Sequence, residues 1–168
     1  MATMPVRERL LVAASEASAR RGYHQVGVQA ICRAAGTTTG ALYHHFGSRE
    51  ALLTAVRERA DEIILEAMRQ ATATLAPGPR AVRTALLAAW DVVQAQGLTQ
   101  LVAQRPDATG MDPLPMYVQS LWSWAPAALG PVLVATWRGA LAHAGNEPHG
   151  DAREVLDGIL RGLGGGSV

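Results

Sequence analysis

Apolar residues recur every three or four positions along most of the chain, and this spacing predicts helices. Between Val6 and Ala17, for example, the apolar side chains fall on one side of a helix with about 3.6 residues per turn. No segment keeps the alternation of apolar and polar residues that marks a half-buried strand. With 168 residues, the chain is long enough to bury a substantial core. We therefore predict an all-α fold.

Glycine and proline residues divide this pattern into separate helices. Gly36 separates two short helices, predicted at 28–35 and about 38–46, and Gly47 precedes a long helix that continues towards Leu75. The run APGP at 76–79 is the clearest break in the remainder, and RPDATGMDPLP at 105–115 has the composition of a loop. One further helix is predicted from the APGP break to about 97, and others near 98–104, 115–124, 132–144 and 151–163. We place the domain boundary after Gly47, which gives domains at 1–47 and 48–168.

The net charge of +1 conceals an uneven distribution. Residues 1–59 carry eight arginines and four glutamates, whereas residues 60–168 carry seven arginines and ten acidic residues. A basic N-terminal third predicts an anionic partner for that part of the chain. Because the chain contains no lysine, contacts to phosphate must come from arginine, histidine, hydroxyl or backbone N–H groups.

Cysteine usage and the absence of a targeting pattern predict a cytoplasmic protein. The single cysteine, Cys32, excludes an intramolecular disulfide and fits a reducing compartment. The N-terminal segment lacks the separate apolar core of a secretory signal, and no apolar run is long enough to span a membrane.

The segment TTTGALYHHF at 37–46 contains two adjacent histidines, which raise the question of a metal site. Neighbouring positions on a helix diverge by about 100°, so His44 and His45 are poorly placed to chelate one ion, and no further ligand motif accompanies them. Leu42 and Phe46 form the apolar pair expected to face the core, which leaves Tyr43 on a different face. Contact with a phosphate backbone or helix packing therefore explains the histidines better than metal binding does.

Two short helices joined at a glycine form a helix-turn-helix, whose second helix can lie in the major groove of DNA. The wider stretch at 22–56, GYHQVGVQAICRAAGTTTGALYHHFGSREALLTAV, closely resembles the DNA-binding domain of the TetR family of transcriptional regulators. With the preceding helix, the resemblance covers about residues 6–57.

The resemblance implies an N-terminal three-helix DNA-binding domain with the helix-turn-helix, followed by a C-terminal helical domain for ligand binding and dimerisation. It implies a homodimer that binds a double-stranded DNA operator and a small-molecule effector. We expect a repressor released from a pseudo-palindromic operator by an apolar or aromatic ligand, although the sequence leaves activation open. Positions matching the family's DNA contacts are Gln29, Thr38, Thr39, Gly40, Tyr43, His44, His45 and Arg49. The chain departs from the family pattern at Gly27, Thr37 and Thr39, where a hydroxyl cap, an apolar residue and a lysine are usual.

The C-terminal part is rich in aromatic and thioether side chains, which suit either a core, a dimer interface or an apolar ligand cavity. The candidates for a ligand site are Trp90, Gln94, Met111, Met116, Tyr117, Gln119, Trp122 and Trp137, with Arg138 as a further polar anchor. In the last predicted helix, a solvated face is expected at Asp151, Arg153, Glu154 and Asp157.

Two other functions are compatible with the pattern. A helical interaction module can retain the motif without reading DNA, and an enzyme can place its site in the tryptophan-rich part. The sequence contains no recognisable nucleophile–base pair or metal-ligand set, so we expect no enzymatic activity and no cofactor.

Overall fold

A computed structural model describes residues 4–21, 27–103, 112–146 and 151–163 of the chain. Over these residues the backbone forms nine α-helices and no strand, which confirms the predicted all-α class. No helix among them is long and apolar enough to cross a membrane. The chain divides into two compact units, Met1–Ala60 and Asp61–Val168, and this division falls inside the long helix. The predicted domain boundary after Gly47 stays a prediction.

The first unit contains α1 (Val6–Arg21), α2 (Val28–Ala34), α3 (Thr39–Phe46) and the first half of α4 (Arg49–Thr72). Helix α1 packs against both α2 and α3, which also contact each other. The apolar face that the helical spacing predicts is buried here, and its fully buried side chains include Leu10, Ala14, Ile31, Leu42 and Leu52. A small unit held by these side chains keeps the short helices α2 and α3 in a fixed arrangement.

The second unit contains the rest of α4, followed by α5 (Pro79–Ala95), α6 (Thr99–Ala103), α7 (Pro113–Ser120), α8 (Leu129–Asn146) and α9 (Ala152–Gly162). Helix α8 packs against α6 and α7, and α9 packs against α5 and α8. The largest side chains without exposure in this unit are Ile64, Met68, Leu86, Leu114, Trp137, Leu141 and Leu156.

The segment predicted as a loop at 105–115 is partly helical. Residues 104–111 lie outside the described part, but Asp112 caps α7 by accepting a hydrogen bond from the Leu114 N–H at 3.2 Å. Pro113 then occupies the first turn of the helix, where a missing N–H costs nothing. The helix therefore begins two residues before the end of the predicted loop, because proline is favoured at a helix start.

The predicted solvated face of the last helix is wrong at one position. Asp157 is buried between α9 and α5, where its carboxylate accepts hydrogen bonds from Arg83 and Arg161, both at 2.6 Å. The Arg83 guanidinium lowers the pKa of Asp157 below its ordinary value. A second pair joins the same helices, because Arg153 on α9 contacts Asp91 on α5 through two hydrogen bonds of 2.9 Å. These contacts fix α9 to α5.

Candidate nucleic-acid interface

The turn between α2 and α3 is shaped by one glycine and one threonine. Gly36 has φ +60°, a left-handed conformation that glycine adopts without strain. Thr38 is the N-cap of α3, and its hydroxyl oxygen accepts a hydrogen bond from the Ala41 N–H at 3.2 Å. Gly47, with φ +77°, ends α3 and donates its N–H to the Tyr43 carbonyl at 2.9 Å. Local chemistry thus defines both ends of the eight-residue helix.

Arg9 ties this turn to α1. Its Nε donates to the Ala35 carbonyl at 2.9 Å, and its Nη2 donates to the Gly36 carbonyl at 3.4 Å. These oxygens lie just beyond the end of α2, where no helical N–H reaches them. No local pattern in the sequence connects Arg9 to carbonyls 26 and 27 residues away, so the sequence alone identifies it only as a basic residue.

The side chains of α3 separate into a buried and an exposed set. Leu42 is fully buried and Tyr43 is 51% exposed, which agrees with the prediction that Leu42 faces the core and Tyr43 lies on a different face. Phe46 is half-buried, and the Arg7 guanidinium lies over its ring with 5.2 Å between Cζ and the ring centroid. His44 and His45 are exposed, and their ring centroids are 5.2 Å apart at an interplanar angle of 69°.

All eight predicted DNA-contact residues belong to the first unit. Thr39, Gly40, Tyr43 and His44 share one face of α3 by their spacing, and each is exposed. Gln29 is exposed on the first turn of α2, and Thr38 and His45 are also exposed. Arg49 is half-buried in the first turn of α4, with its Nη1 3.6 Å from the Glu50 carboxylate. The exposed face of α3 is therefore made of hydroxyl, imidazole and backbone groups.

Gly40 occupies this face without any structural need for glycine. A Cβ built at this position meets only the Thr38 hydroxyl oxygen, at 3.8 Å, which is an ordinary van der Waals contact. Glycine near the start of an exposed helix lowers helix stability relative to alanine. Space inside the unit therefore does not explain the residue, and an external surface that approaches α3 closely would explain it.

Among the described residues, no group of three or more His, Cys, Asp and Glu side chains could hold a metal ion. Cys32 is buried in α2, and its burial raises the pKa of the thiol, which makes it a weaker nucleophile. Neither observation points to chemistry on this face.

The candidate ligand residues have different environments in the described part of the structure. Trp90 and Trp137 are buried in the core, Gln94 is exposed, and Met111 lies outside the described residues. Met116 and Gln119 line an open depression of about 450 Å³, together with Pro115, Ser120, Ser123, Ala127 and Pro131. Within α7, Tyr117 faces elsewhere and shares a 3.0 Å hydrogen bond with the Thr72 hydroxyl on α4.

The polar groups of this region have different roles. The Gln119 amide is occupied, since its oxygen accepts from the Gly130 N–H at 2.9 Å and its nitrogen donates to the Ala125 carbonyl at 3.3 Å. By contrast, three buried donor atoms of the second unit have no hydrogen-bond partner among the described residues: Nε1 of Trp122, Nε1 of Trp137 and Nε of Arg138. The Arg138 guanidinium also pairs with Asp112 through Nη1.

Residues 10–56 match the family model of bacterial regulatory proteins of the tetR family. The chain is 36% identical over 88 residues to the HTH-type transcriptional activator FasR of Mycolicibacterium smegmatis, a match covering 52% of this chain and 40% of FasR. The matched part therefore spans less than half the length of that relative.

Solved structures match over nearly the whole chain. A protein from Shewanella sp. PV-4 assigned to the tetR family superposes with a TM-score of 0.74 and 18% identity, over 94% of this chain and 96% of that one. The TetR-like regulator LfrR from Mycobacterium smegmatis, crystallised with proflavine, has a TM-score of 0.65 and 19% identity, with 97% of each chain covered. At these identities the structures establish the shared fold.

Proposed function

Because the chain belongs to the TetR family of transcriptional regulators, we propose that it binds operator DNA as a homodimer through α3 and responds to a small-molecule effector. The observation that carries the proposal is the exposed face of α3, with a glycine that its own unit does not require. The role is regulatory rather than catalytic, and it is exercised in the cytoplasm, where the DNA lies.

In this proposal α3 lies in the major groove and α2 crosses the DNA backbone. Tyr43 donates its hydroxyl to a phosphate, and Thr39 contacts a base edge or a phosphate next to it. Gln29 on α2 is suited to a bidentate contact with adenine. Gly40 allows the helix backbone to approach the DNA closely.

The other predicted residues position the helix. The Thr38 hydroxyl oxygen caps α3, and its exposed hydrogen remains available as a donor to phosphate. His44, His45 and Arg49 contact the DNA backbone from the end of α3 and the start of α4. Such contacts supply affinity and orientation, whereas sequence preference depends on Gln29 and Thr39.

Exposed apolar residues on α8 and α9 support the homodimer. Val132 on α8 is 57% exposed, and Val155 and Ile159 on α9 are 59% and 49% exposed. Gly158 and Gly162 lie beside Val155 and Ile159 on α9. A Cβ built at either glycine meets no heavy atom within 4 Å, so another helix can approach closely here. An apolar helix face of this kind is typical of an interface between subunits. A dimer presents two copies of α3, which fit half-sites about one helical turn or a multiple apart.

The effector is proposed to bind in the second unit and to change operator affinity through α4. The unpaired donors of Trp122, Trp137 and Arg138 support a ligand that carries hydrogen-bond acceptors on an apolar body. The complex of LfrR with proflavine supports a small-molecule ligand for this fold. Since the Tyr117–Thr72 hydrogen bond joins α7 to α4, a ligand that displaces α7 acts on the helix that follows α3.

We propose repression, with the effector favouring the DNA-free state. FasR is named as an activator, so the sign of regulation is itself tested. A reporter gene placed behind the operator should be silenced by the chain and restored by the effector, whereas activation of the reporter would reverse this part of the proposal.

The DNA-binding part is tested with Tyr43→Ala and the milder Tyr43→Phe. Loss of a hydrogen bond to a charged phosphate costs about 1.5–3 kcal/mol, so both variants should bind operator roughly 10- to 150-fold more weakly. Because Tyr43 is half exposed, circular dichroism should show an unchanged fold. Operator affinity equal to that of the wild type in Tyr43→Ala would contradict the proposal and favour a module that does not read DNA.

A further inference from the structure

We propose that operator binding by this chain is coupled to proton uptake at His44 and His45, so that affinity rises as the pH falls. The inference rests on the proposed DNA binding and adds to it a dependence on pH that the family match does not supply.

The coupling follows from the cations that α3 offers. The helix contains no arginine, and the chain contains no lysine, so the histidine pair is the source of positive charge on α3 itself. Both imidazoles are exposed in the last turn of α3, where a bound duplex can reach them. Exposure also argues against a packing role, because neither ring is covered by the unit.

The charged groups on the elements next to α3 are arginines and glutamates. Arg7 on α1 covers Phe46, and Arg9 binds the carbonyls of the α2–α3 turn. The remaining groups with described side chains in the first unit are Glu8 and Glu16 on α1, Arg33 on α2, and Arg49, Glu50, Arg57, Glu58 and Arg59 on α4. Glu8 is paired to Arg59, and Glu50 is close to Arg49. Arginine and glutamate side chains ordinarily keep their charges between about pH 6 and 8.5. Histidine is the side chain whose charge ordinarily changes in this range.

The exposure of the two rings explains why binding takes up protons. Their centroids are 5.2 Å apart, so the phosphates of a bound duplex can lie beside both rings. A phosphate beside an imidazole favours its charged form. The complex therefore holds more protons than the free chain, and by linkage its affinity increases as protons become more available.

The test uses the full chain and a duplex selected from random DNA. We expect the Kd to fall about tenfold between pH 8 and pH 6 at constant ionic strength, because an average uptake of about half a proton per bound chain changes log Kd by about half a unit per pH unit. Proton uptake is measured directly by calorimetric titration in two buffers that differ in ionisation enthalpy. This second measurement uses only the wild-type chain and so does not depend on the folding of a variant.

Substitution of His44 and His45 tests whether these two residues take up the protons on DNA binding. The double variant His44→Gln/His45→Gln keeps side chains with hydrogen-bonding groups but removes the titration, so its Kd should be nearly independent of pH. His143→Gln, on α8 in the second unit, is the matched control and should keep the wild-type dependence. A pH-independent wild-type Kd, or a double variant with the full dependence, overturns the inference. Absence of specific binding at every pH would instead overturn the proposed function.

Discussion

Gly40→Ala separates what the fold requires from what DNA binding requires. The added methyl group meets only the Thr38 hydroxyl oxygen, at 3.8 Å, so the free protein accommodates it without movement. Alanine is favoured over glycine in a helix by up to about 1 kcal/mol, and less in the first turn, where Gly40 lies. The variant should therefore unfold at the same or a slightly higher temperature than the wild type.

The same methyl group should weaken DNA binding. It projects from the face of α3 that we place against the major groove, and an extra methyl in a close-packed contact costs about 1–3 kcal/mol. That cost corresponds to an affinity roughly 5- to 150-fold lower. Gly40→Ser, with a larger side chain at the same point, should lose at least as much, since the steric conflict increases with volume.

The stability and the operator affinity of Gly40→Ala are measured on the same preparation. Thermal unfolding followed by far-ultraviolet circular dichroism gives stability, and fluorescence anisotropy with a labelled operator duplex gives affinity. If Gly40→Ala binds the operator as tightly as the wild type while remaining folded, the reasoning that glycine serves a close approach to DNA is refuted.

The remaining predictions concern the second unit. Gly130→Ala places a Cβ 2.3 Å from the backbone oxygen of Pro115 and should cost about 2 kcal/mol in urea unfolding followed by tryptophan fluorescence. Gly145→Ala on the same helix meets the flexible end of Gln100 at 2.9 Å and the Thr99 methyl group at 3.4 Å, and it should stay close to the wild type because the Gln100 side chain can move. Because the pKa of Asp157 is lowered in the folded state, its stabilising contribution is present above the ordinary value of 3.8 and is lost as the pH falls through the folded-state pKa. Asp157→Asn should lower the Tm at neutral pH and flatten the acid-induced decrease.

Each of these predictions has a control and a result that would contradict it. Equal urea midpoints for the two glycine variants would contradict the close contact between α7 and α8. Asp151→Asn, at an exposed position before α9, is the control for Asp157→Asn and should leave both the Tm and its acid dependence unchanged. An Asp157→Asn variant as stable as the wild type at neutral pH would show that the two arginine contacts contribute nothing.

The helices and the exposed face of α3 were predictable because both depend on local periodicity. Leu42 and Tyr43 are neighbours in sequence, yet the helical spacing places one inside and the other outside, and the structure agrees. The cap at Thr38 is also a local feature, since its hydrogen-bond partner, the Ala41 N–H, lies three residues away.

Long-range contacts were not predictable from a single sequence. Aspartate is usually found at the protein surface. The burial of Asp157 depends on its contact with Arg83, which lies 74 residues away in the sequence. The tryptophans present the same difficulty, because a buried indole in the core and an indole lining a cavity follow the same helical spacing. Trp137 is fully buried, and its N–H has no partner among the described residues, so its burial alone does not distinguish the two roles.

Selection of bound sequences from random duplex DNA tests the central claim most directly. The wild-type chain should enrich a pseudo-palindromic site with half-sites about one helical turn or a multiple apart, as two copies of α3 in a dimer require. The Tyr43→Ala variant, selected in parallel, should enrich far less. Failure of the folded wild-type chain to enrich any sequence, or equal enrichment by the variant, would contradict the account.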